Sequence, residues 1–437
     1  MELRQRRNDE DGDESRAQLL ETTTTSTTTT ITNPSSPPHE GRQQEPGQPQ
    51  HQHEGVGRDV ASKDKSRRQR RSSGSGAGCA SKVAYGLVCN VLVGLTLVYI
   101  AIPVWFYSCP WLREQIVFLT AVSIPPFLNL SNPDAFGLYC PQNFYVESEP
   151  GLKLGAWYVP SKNEPCHRPG GQADPLSPAP TTTMFSGGDA GIGVGGDDPV
   201  ILYLHGNAGS RGGSHRVGLY KMLSGEARAH VVAVDYRGYG DSSTLKRPTV
   251  DGLVVDAMAA YRKIRETVPA NRIIVWGHSL GTGVSSYLVA ELTEQRDLPA
   301  GLVLESPFDV LANAVKHHPM SRLHRVMPYF ETMFVDAVKN HPNTNFDSAS
   351  QARRISPTLP VMILHAKDDA VVPYELGDRL YRSFAEARRP AENKARLELV
   401  TFASEHGYGH KYIYTHPGLA KTVRAFFDEA ISRSRVQ

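Results

Sequence analysis

Hydrophobic positions fall into two kinds of run along this chain. From Phe144 onward, short unbroken Val/Ile/Leu stretches alternate with longer stretches in which apolar residues recur every three or four positions. The first kind predicts buried strands and the second amphipathic helices. Strands are expected at Leu152–Val159, Val200–Leu204, His230–Val234, Arg272–Trp276, Gly301–Leu304, Pro360–Leu364 and Leu397–Phe402. Helices are expected at Val250–Arg265, Gly283–Leu292, Tyr374–Ala385 and Pro417–Ser432. Such alternation predicts an α/β domain over 144–437, with a mostly parallel sheet covered by helices on both faces. Two stretches break the rhythm. Residues 165–198 are rich in Gly, Pro and Thr and read as a flexible surface insertion. Residues 308–350 hold no strand-like run and are too long for an ordinary connection, so they read as a cap over one end of the sheet.

A third pattern precedes the domain. Val83–Tyr107 carries no charge, is interrupted only by Asn90, and is long enough to span a bilayer. A transmembrane signal anchor is therefore expected over 82–107. Tyr99, Trp105 and Tyr107 suit an interfacial aromatic belt. Lys63, Lys65, Arg67, Arg68, Arg70, Arg71 and Lys82 crowd its N-terminal flank, so the positive-inside rule keeps the N-terminus cytosolic and sends the domain to the lumenal or extracellular side. Asn129-Leu130-Ser131 would then be a usable glycosylation sequon, with Asn129 the acceptor. Of five cysteines, Cys109, Cys140 and Cys166 face the oxidising side; Cys140 and Cys166 can pair, but connectivity stays open. Residues 1–81, with a threonine tract and a Pro/Gln/His stretch, cannot bury enough apolar surface to order and are expected to be a disordered cytosolic tail. The apolar segment Ile116–Leu130, within a membrane-proximal stretch 108–143, either lies in the membrane interface or packs on the domain. A formal net charge of +2 gives no reason to expect a nucleic-acid partner.

Chemistry enters at Gly277-His278-Ser279-Leu280-Gly281, between an apolar run and a helix-like one. G-x-S-x-G in that setting is a nucleophile elbow: the glycines allow a turn so sharp that the Ser279 hydroxyl stands at its tip. A serine needs a base, and the base needs an orienting acid; in such folds acid and base follow the serine in that order. Asp368 and Asp369 compete for the acid after the Val361–Leu364 run, and Asp369 is favoured because it stands nearest the Val-Val-Pro turn. His410, preceded by Gly409 beyond the last strand, is favoured as base over His406. An oxyanion hole needs two backbone N–H groups. Leu280 would supply one, and Asn207, in His205-Gly206-Asn207-Ala208-Gly209, the other. No metal or cofactor is required. Arg211, His215 and Arg216 are candidates for binding an anionic head group, against the plainer reading of a solvated basic loop.

Together the His205–Gly209, Asp235–Ser242, Trp276–Gly281, Glu305–Phe308 and His365–Asp369 motifs resemble the α/β-hydrolase-domain serine hydrolases. The Gly209–Val217 run and the Gly409–Tyr414 ending are similar to the membrane-anchored lysophosphatidylserine lipases of that group, which also hydrolyse monoacylglycerols. The resemblance covers roughly Lys82–Phe427. It implies an α/β-hydrolase fold, a triad of Ser279, Asp369 and His410 and a lipid-ester substrate. The 308–350 cap is expected to shape an acyl-chain pocket, against the plainer reading of a decorative insertion, and the endoplasmic reticulum membrane is the expected residence, with the plasma membrane as the alternative. A serine peptidase, another esterase or thioesterase, and a non-catalytic pseudo-hydrolase are the competing readings. The long head and the 165–198 insertion depart from the family pattern.

Overall fold

A computed structural model describes residues 27–31, 76–122, 126–166 and 196–435. Nine strands form one sheet: Thr27–Ile31 (β1), Gln142–Glu149 (β2), Leu152–Val159 (β3), Val200–Leu204 (β4), His230–Val234 (β5), Ile273–His278 (β6), Gly301–Glu305 (β7), Val361–Ala366 (β8) and Leu397–Phe402 (β9). Their order is β1-β9-β8-β7-β6-β4-β5-β3-β2. The β2–β3 and β3–β5 pairs are antiparallel and the rest parallel. Every residue of β4, β5, β6, β7 and β8 is buried, which explains why these strands read as unbroken apolar runs. Within β4 the side chains still alternate. Val200, Leu202 and Leu204 join the core beneath helices Val250–Arg265, Leu280–Gln295 and Tyr374–Arg388; Ile201 and Tyr203 join the opposite core beneath Ser214–Gly225 and Leu419–Ser434.

Three differences from expectation have physical causes. First, β2 is half-buried and rich in Glu, Gln and Asn, so its apolar content is too thin to announce a strand; pairing with β3 makes it one. Second, Ser214–Gly225 is a helix although its start reads as a Gly/Ser loop. Gly218 lies where any side chain would collide with the ring of Tyr414. Third, Thr27–Ile31, within the expected tail, lies in parallel along β9; β-branched residues suit an open sheet edge. The rest of the expected tail up to Ser75, and residues 167–195 of the expected insertion, lie outside the described residues.

The apolar segment is helical from Gly76 to Ser108, with a π-turn at Leu97–Ala101, and Ser81–Ser108 is long and apolar enough to cross a membrane. It leads into helix Pro110–Phe118, whose Val117 and Phe118 are buried in the main core, and Leu130 is buried in the other. Packing on the domain thus accounts for Val117, Phe118 and Leu130 of the Ile116–Leu130 stretch, while Phe127 is fully exposed. Cys140 and Cys166 form a disulfide.

Candidate active site

Parallel strands leave their C-terminal ends pointing at one edge, and that edge collects the predicted residues. At the end of β6 the chain turns at Ser279, with φ 51° and ψ −117°, and enters helix Leu280–Gln295 at once. Such a backbone is costly for a residue with a Cβ and must be held by its surroundings. The Ser279 N–H donates to the Glu305 carbonyl of β7 at 2.9 Å. A Cβ at Gly281 would collide with the Leu204 carbonyl, and one at Gly277 with the Gly281 carbonyl and Ser285 Oγ. The elbow glycines are therefore required by space, because the helix starts directly against β4. Leu280 is the first residue of that helix, so its N–H has no intrahelical acceptor. Gly206, after β4, lies so close that a Cβ would stand 3.1 Å from Ser279 Cβ. Asn207, the next residue, lines the same cavity as Ser279.

The predicted acid and base meet across two loops. His410 Nδ1 lies 2.7 Å from Asp369 Oδ2, while Asp369 Oδ1 accepts the N–H groups of Val371 and Val372, each at 2.9 Å. The Val-Val-Pro turn thus pins the carboxylate. Burial opposes its ionisation, but His410 and the imidazole of His365 outweigh burial and hold it well below the usual carboxylate range. Asp368 acts elsewhere, its Oδ2 accepting the Gly409 N–H at 2.9 Å and tying down the loop that carries His410. His406 stacks on Tyr408, with ring centroids 5.2 Å apart, and does not line the cavity.

His278, the variable position of the elbow, carries no signal in the sequence. Its Nε2 donates to the His410 carbonyl at 2.9 Å and its ring lies 5.0 Å from that of His410. Burial, with His410 nearby, pushes its pKa well below the usual histidine value, so it is neutral and acts as a brace for His410.

The head-group candidates need correction. Arg211 is fully buried: its guanidinium pairs with Asp235 and Asp241, both at 2.6 Å, and reaches Asn143 at 3.0 Å. No lipid can reach it. Arg216 is also buried and donates to the carbonyls of Ser210, Gly206 and Ala208 at 2.6, 2.9 and 2.8 Å, which stiffens the loop after β4. His215 does line the cavity, but burial and then Arg216 push its pKa to about 3, so it offers no positive charge. Lys411, exposed and lining the same cavity, is a cation that the sequence motifs do not single out. Its position directly after His410 is the one signal that could have pointed to it.

Glu305 is a buried carboxyl close behind the serine. It accepts Trp276 Nε1–H at 2.9 Å; burial raises its pKa to about 7, Asp369 adds to the rise, and the indole bond opposes it. An unfolded glutamate titrates near 4.3, so between about 4.3 and 7 the native state keeps a proton that the unfolded state has lost. Stability therefore falls as pH rises through that window. Glu305→Gln removes the penalty: its unfolding midpoint should match wild type at pH 4.5 and exceed it at pH 8, by about 3 kcal/mol of stability at most. Equal midpoints at both pH values would count against a protonated Glu305.

Ser279 and His410 open onto a cavity of about 700 Å³, walled by Val117, Leu119, Phe308, Leu311, Phe330 and Phe334 among others. Phe308, Leu311, Phe330 and Phe334 fall inside the expected cap, which forms helix Leu311–His317, a 3-10 turn at Pro319–Leu323 and a π-turn at Glu331–Asp336. That size and lining suit an apolar ligand with one polar end.

Residues 199–346 match the profile of the α/β hydrolase fold. A solved α/β hydrolase from Vibrio vulnificus shares the fold, with a TM-score of 0.52 at 16% identity over 73% of this chain and 94% of its own. The lysophosphatidylserine lipase ABHD12 of Danio rerio is 38% identical over 77% of this chain and 82% of its own length. The protein ABHD12B of Homo sapiens is 33% identical over 73% of this chain and 81% of its own. With an elbow serine at the strand edge and likeness of this extent along both chains, the protein is a serine hydrolase and belongs to the ABHD12 family of α/β hydrolases.

Proposed function

We propose that this membrane-anchored hydrolase cleaves the acyl ester of lysophospholipids, lysophosphatidylserine first among them, through Ser279, His410 and Asp369. The observation that carries the reading is a 2.7 Å His410–Asp369 pair at one end of an apolar cavity that also holds Ser279. His410 takes the hydroxyl proton as Ser279 attacks the ester carbonyl. The N–H groups of Leu280 and Asn207 receive the developing oxyanion, the first aided by the positive end of its helix. His410 then protonates the departing glycerol oxygen, and water releases the fatty acid from the acyl-enzyme. Lys411 is suited to the phosphate at the cavity mouth.

The test is fatty-acid release from matched C18:1 lysophosphatidylserine, lysophosphatidylcholine, monoacylglycerol and acyl-coenzyme A, with a peptide substrate alongside. Lysophosphatidylserine should lead, and Lys411→Gln should raise its KM several-fold while leaving monoacylglycerol unchanged. Preference for the thioester or peptide would overturn the assignment.

The domain is assigned to the lumenal face of the endoplasmic reticulum membrane. Support comes from the basic flank before the helix, the Cys140–Cys166 disulfide, and an exposed Asn129 whose Oδ1 accepts Ser131 Oγ–H at 2.6 Å. Strand β1 precedes the helix and β9 follows it, so their pairing and a membrane crossing exclude one another in a single chain. In the crossing form the β9 edge is free of β1. Asn129→Gln should abolish an endoglycosidase-sensitive mass shift in cells; a wild-type protein without that shift would place the domain on the cytosolic side.

A further inference from the structure

The apolar helix does not stop at anchoring. Pro103 has no N–H, so the Tyr99 carbonyl one turn earlier loses its helical partner. At the π-turn the Ile102 N–H goes to the Leu97 carbonyl, which leaves Val98 without its usual donor as well. Both freed carbonyls are met by the cap. Tyr329 Oη–H donates to Tyr99 at 2.7 Å, and His324 Nε2 to Val98 at 2.9 Å. An unmet carbonyl next to lipid costs several kcal/mol, so these bonds hold cap and helix together as one unit. Phe106 stacks on Phe334 of the cap, with centroids 5.0 Å apart.

The same helix turns reach the reaction cavity: Ile102 and Phe106 are part of its wall, together with Leu311, Phe330 and Phe334 of the cap. Ser81–Ser108 has 28 residues. At 1.5 Å per residue this is about 42 Å, against a hydrocarbon core of about 30 Å. The helix is therefore longer than that core is thick, enough for its last two turns to reach the boundary between acyl chains and head groups. Beside them the cap exposes Met320, Leu323 and Val326, at 60%, 61% and 84%, with Arg322 and Arg325 between them. Apolar side chains interleaved with long cations that can reach head groups are what such a boundary accommodates.

We propose that the end of the membrane helix is a wall of the acyl-chain channel, with Ile102 and Phe106 limiting chain length, so that the chain enters sideways from the bilayer rather than through water. The proposal rests on ester hydrolysis at Ser279, not on the identity of the head group. It follows that the anchor and the catalytic domain form one binding site, and that bulk added at Ile102 acts on the substrate.

The test uses the full-length protein in phosphatidylcholine vesicles with p-nitrophenyl esters from C4 to C16, which lack a phospholipid head group. The readout is the ratio of kcat/KM for C16 to that for C4, in which the amount of folded enzyme cancels. Ile102→Trp should lower the ratio at least ten-fold, Ile102→Ala should raise it, and Val104→Trp, on the same helix but outside the cavity wall, should leave it unchanged. A ratio unmoved by both Ile102 variants, or lowered equally by Val104→Trp, overturns the proposal. Since no head group is involved, either result leaves the lysophosphatidylserine assignment to its own test.

Discussion

Ser279→Ala is expected to lower kcat for ester hydrolysis about 10⁶-fold, and Asp369→Asn about 10⁴-fold, the scale at which serine triads fail when the nucleophile or the orienting acid is removed. The two losses have different causes. Alanine removes the atom that forms the acyl-enzyme. Asparagine keeps the shape of Asp369 but can present an amide N–H to His410 Nδ1, which favours the wrong tautomer and gives no charge to stabilise the imidazolium. Asp368→Asn is the informative comparison. Its carboxylate holds Gly409 rather than His410, so about a ten-fold loss is expected from a loosened loop. Steady-state kcat on one ester, with fluorophosphonate labelling in parallel, separates these cases. Labelling that survives Ser279→Ala, or an Asp368 loss larger than the Asp369 loss, would require a different site.

Arg211→Ala should cost about 3–5 kcal/mol of stability, the range for removing one partner of a buried ion pair. Asp235 has no exposure and would be left charged, without its guanidinium partner, in the interior. Burial disfavours its charged form, yet Arg211, followed by His205, holds its pKa below the usual value. The guanidinium also lies 5.2 Å above the Trp157 ring, a contact alanine would forfeit. Lysine cannot serve Asp235, Asp241 and Asn143 together, because it lacks the planar fork. Denaturant titration of wild type and variant reads the cost directly. A variant of unchanged stability but raised KM for anionic lipids would return Arg211 to the surface role that the sequence suggested.

Much of the site was legible in the sequence because its parts are local. The elbow is one pentapeptide after a strand, and a sharp turn needs small residues on both sides whatever the rest of the chain does. Asp369 was separated from Asp368 by the adjacent Val-Val-Pro turn, whose amides bind one of its oxygens. Buried parallel strands were legible because both faces are covered, so β4 to β8 show apolar residues at every position or nearly so. The half-covered β2, with its polar outer positions, was not.

Residues whose roles depend on partners distant in sequence were misread or missed. Arg211 looks like any arginine in a Gly/Ser-rich run; Asp235, Asp241 and Asn143, brought by β2, β5 and the loop after β5, decide that it is internal. His278 becomes a brace only when the loop after β9 folds over it. The sequence alone determined a strand-and-helix alternation, a serine elbow with a candidate acid and base in order, and a helix fit to span a bilayer, since each depends on neighbours within a few turns of chain. Only the tertiary structure decided which arginines are interior, which lysine reaches the cavity, and that the long apolar helix lines the pocket. Those outcomes depend on burial and on hydrogen bonds between segments tens to hundreds of residues apart, as between Tyr329 and Tyr99, and the order of residues along the chain does not record them.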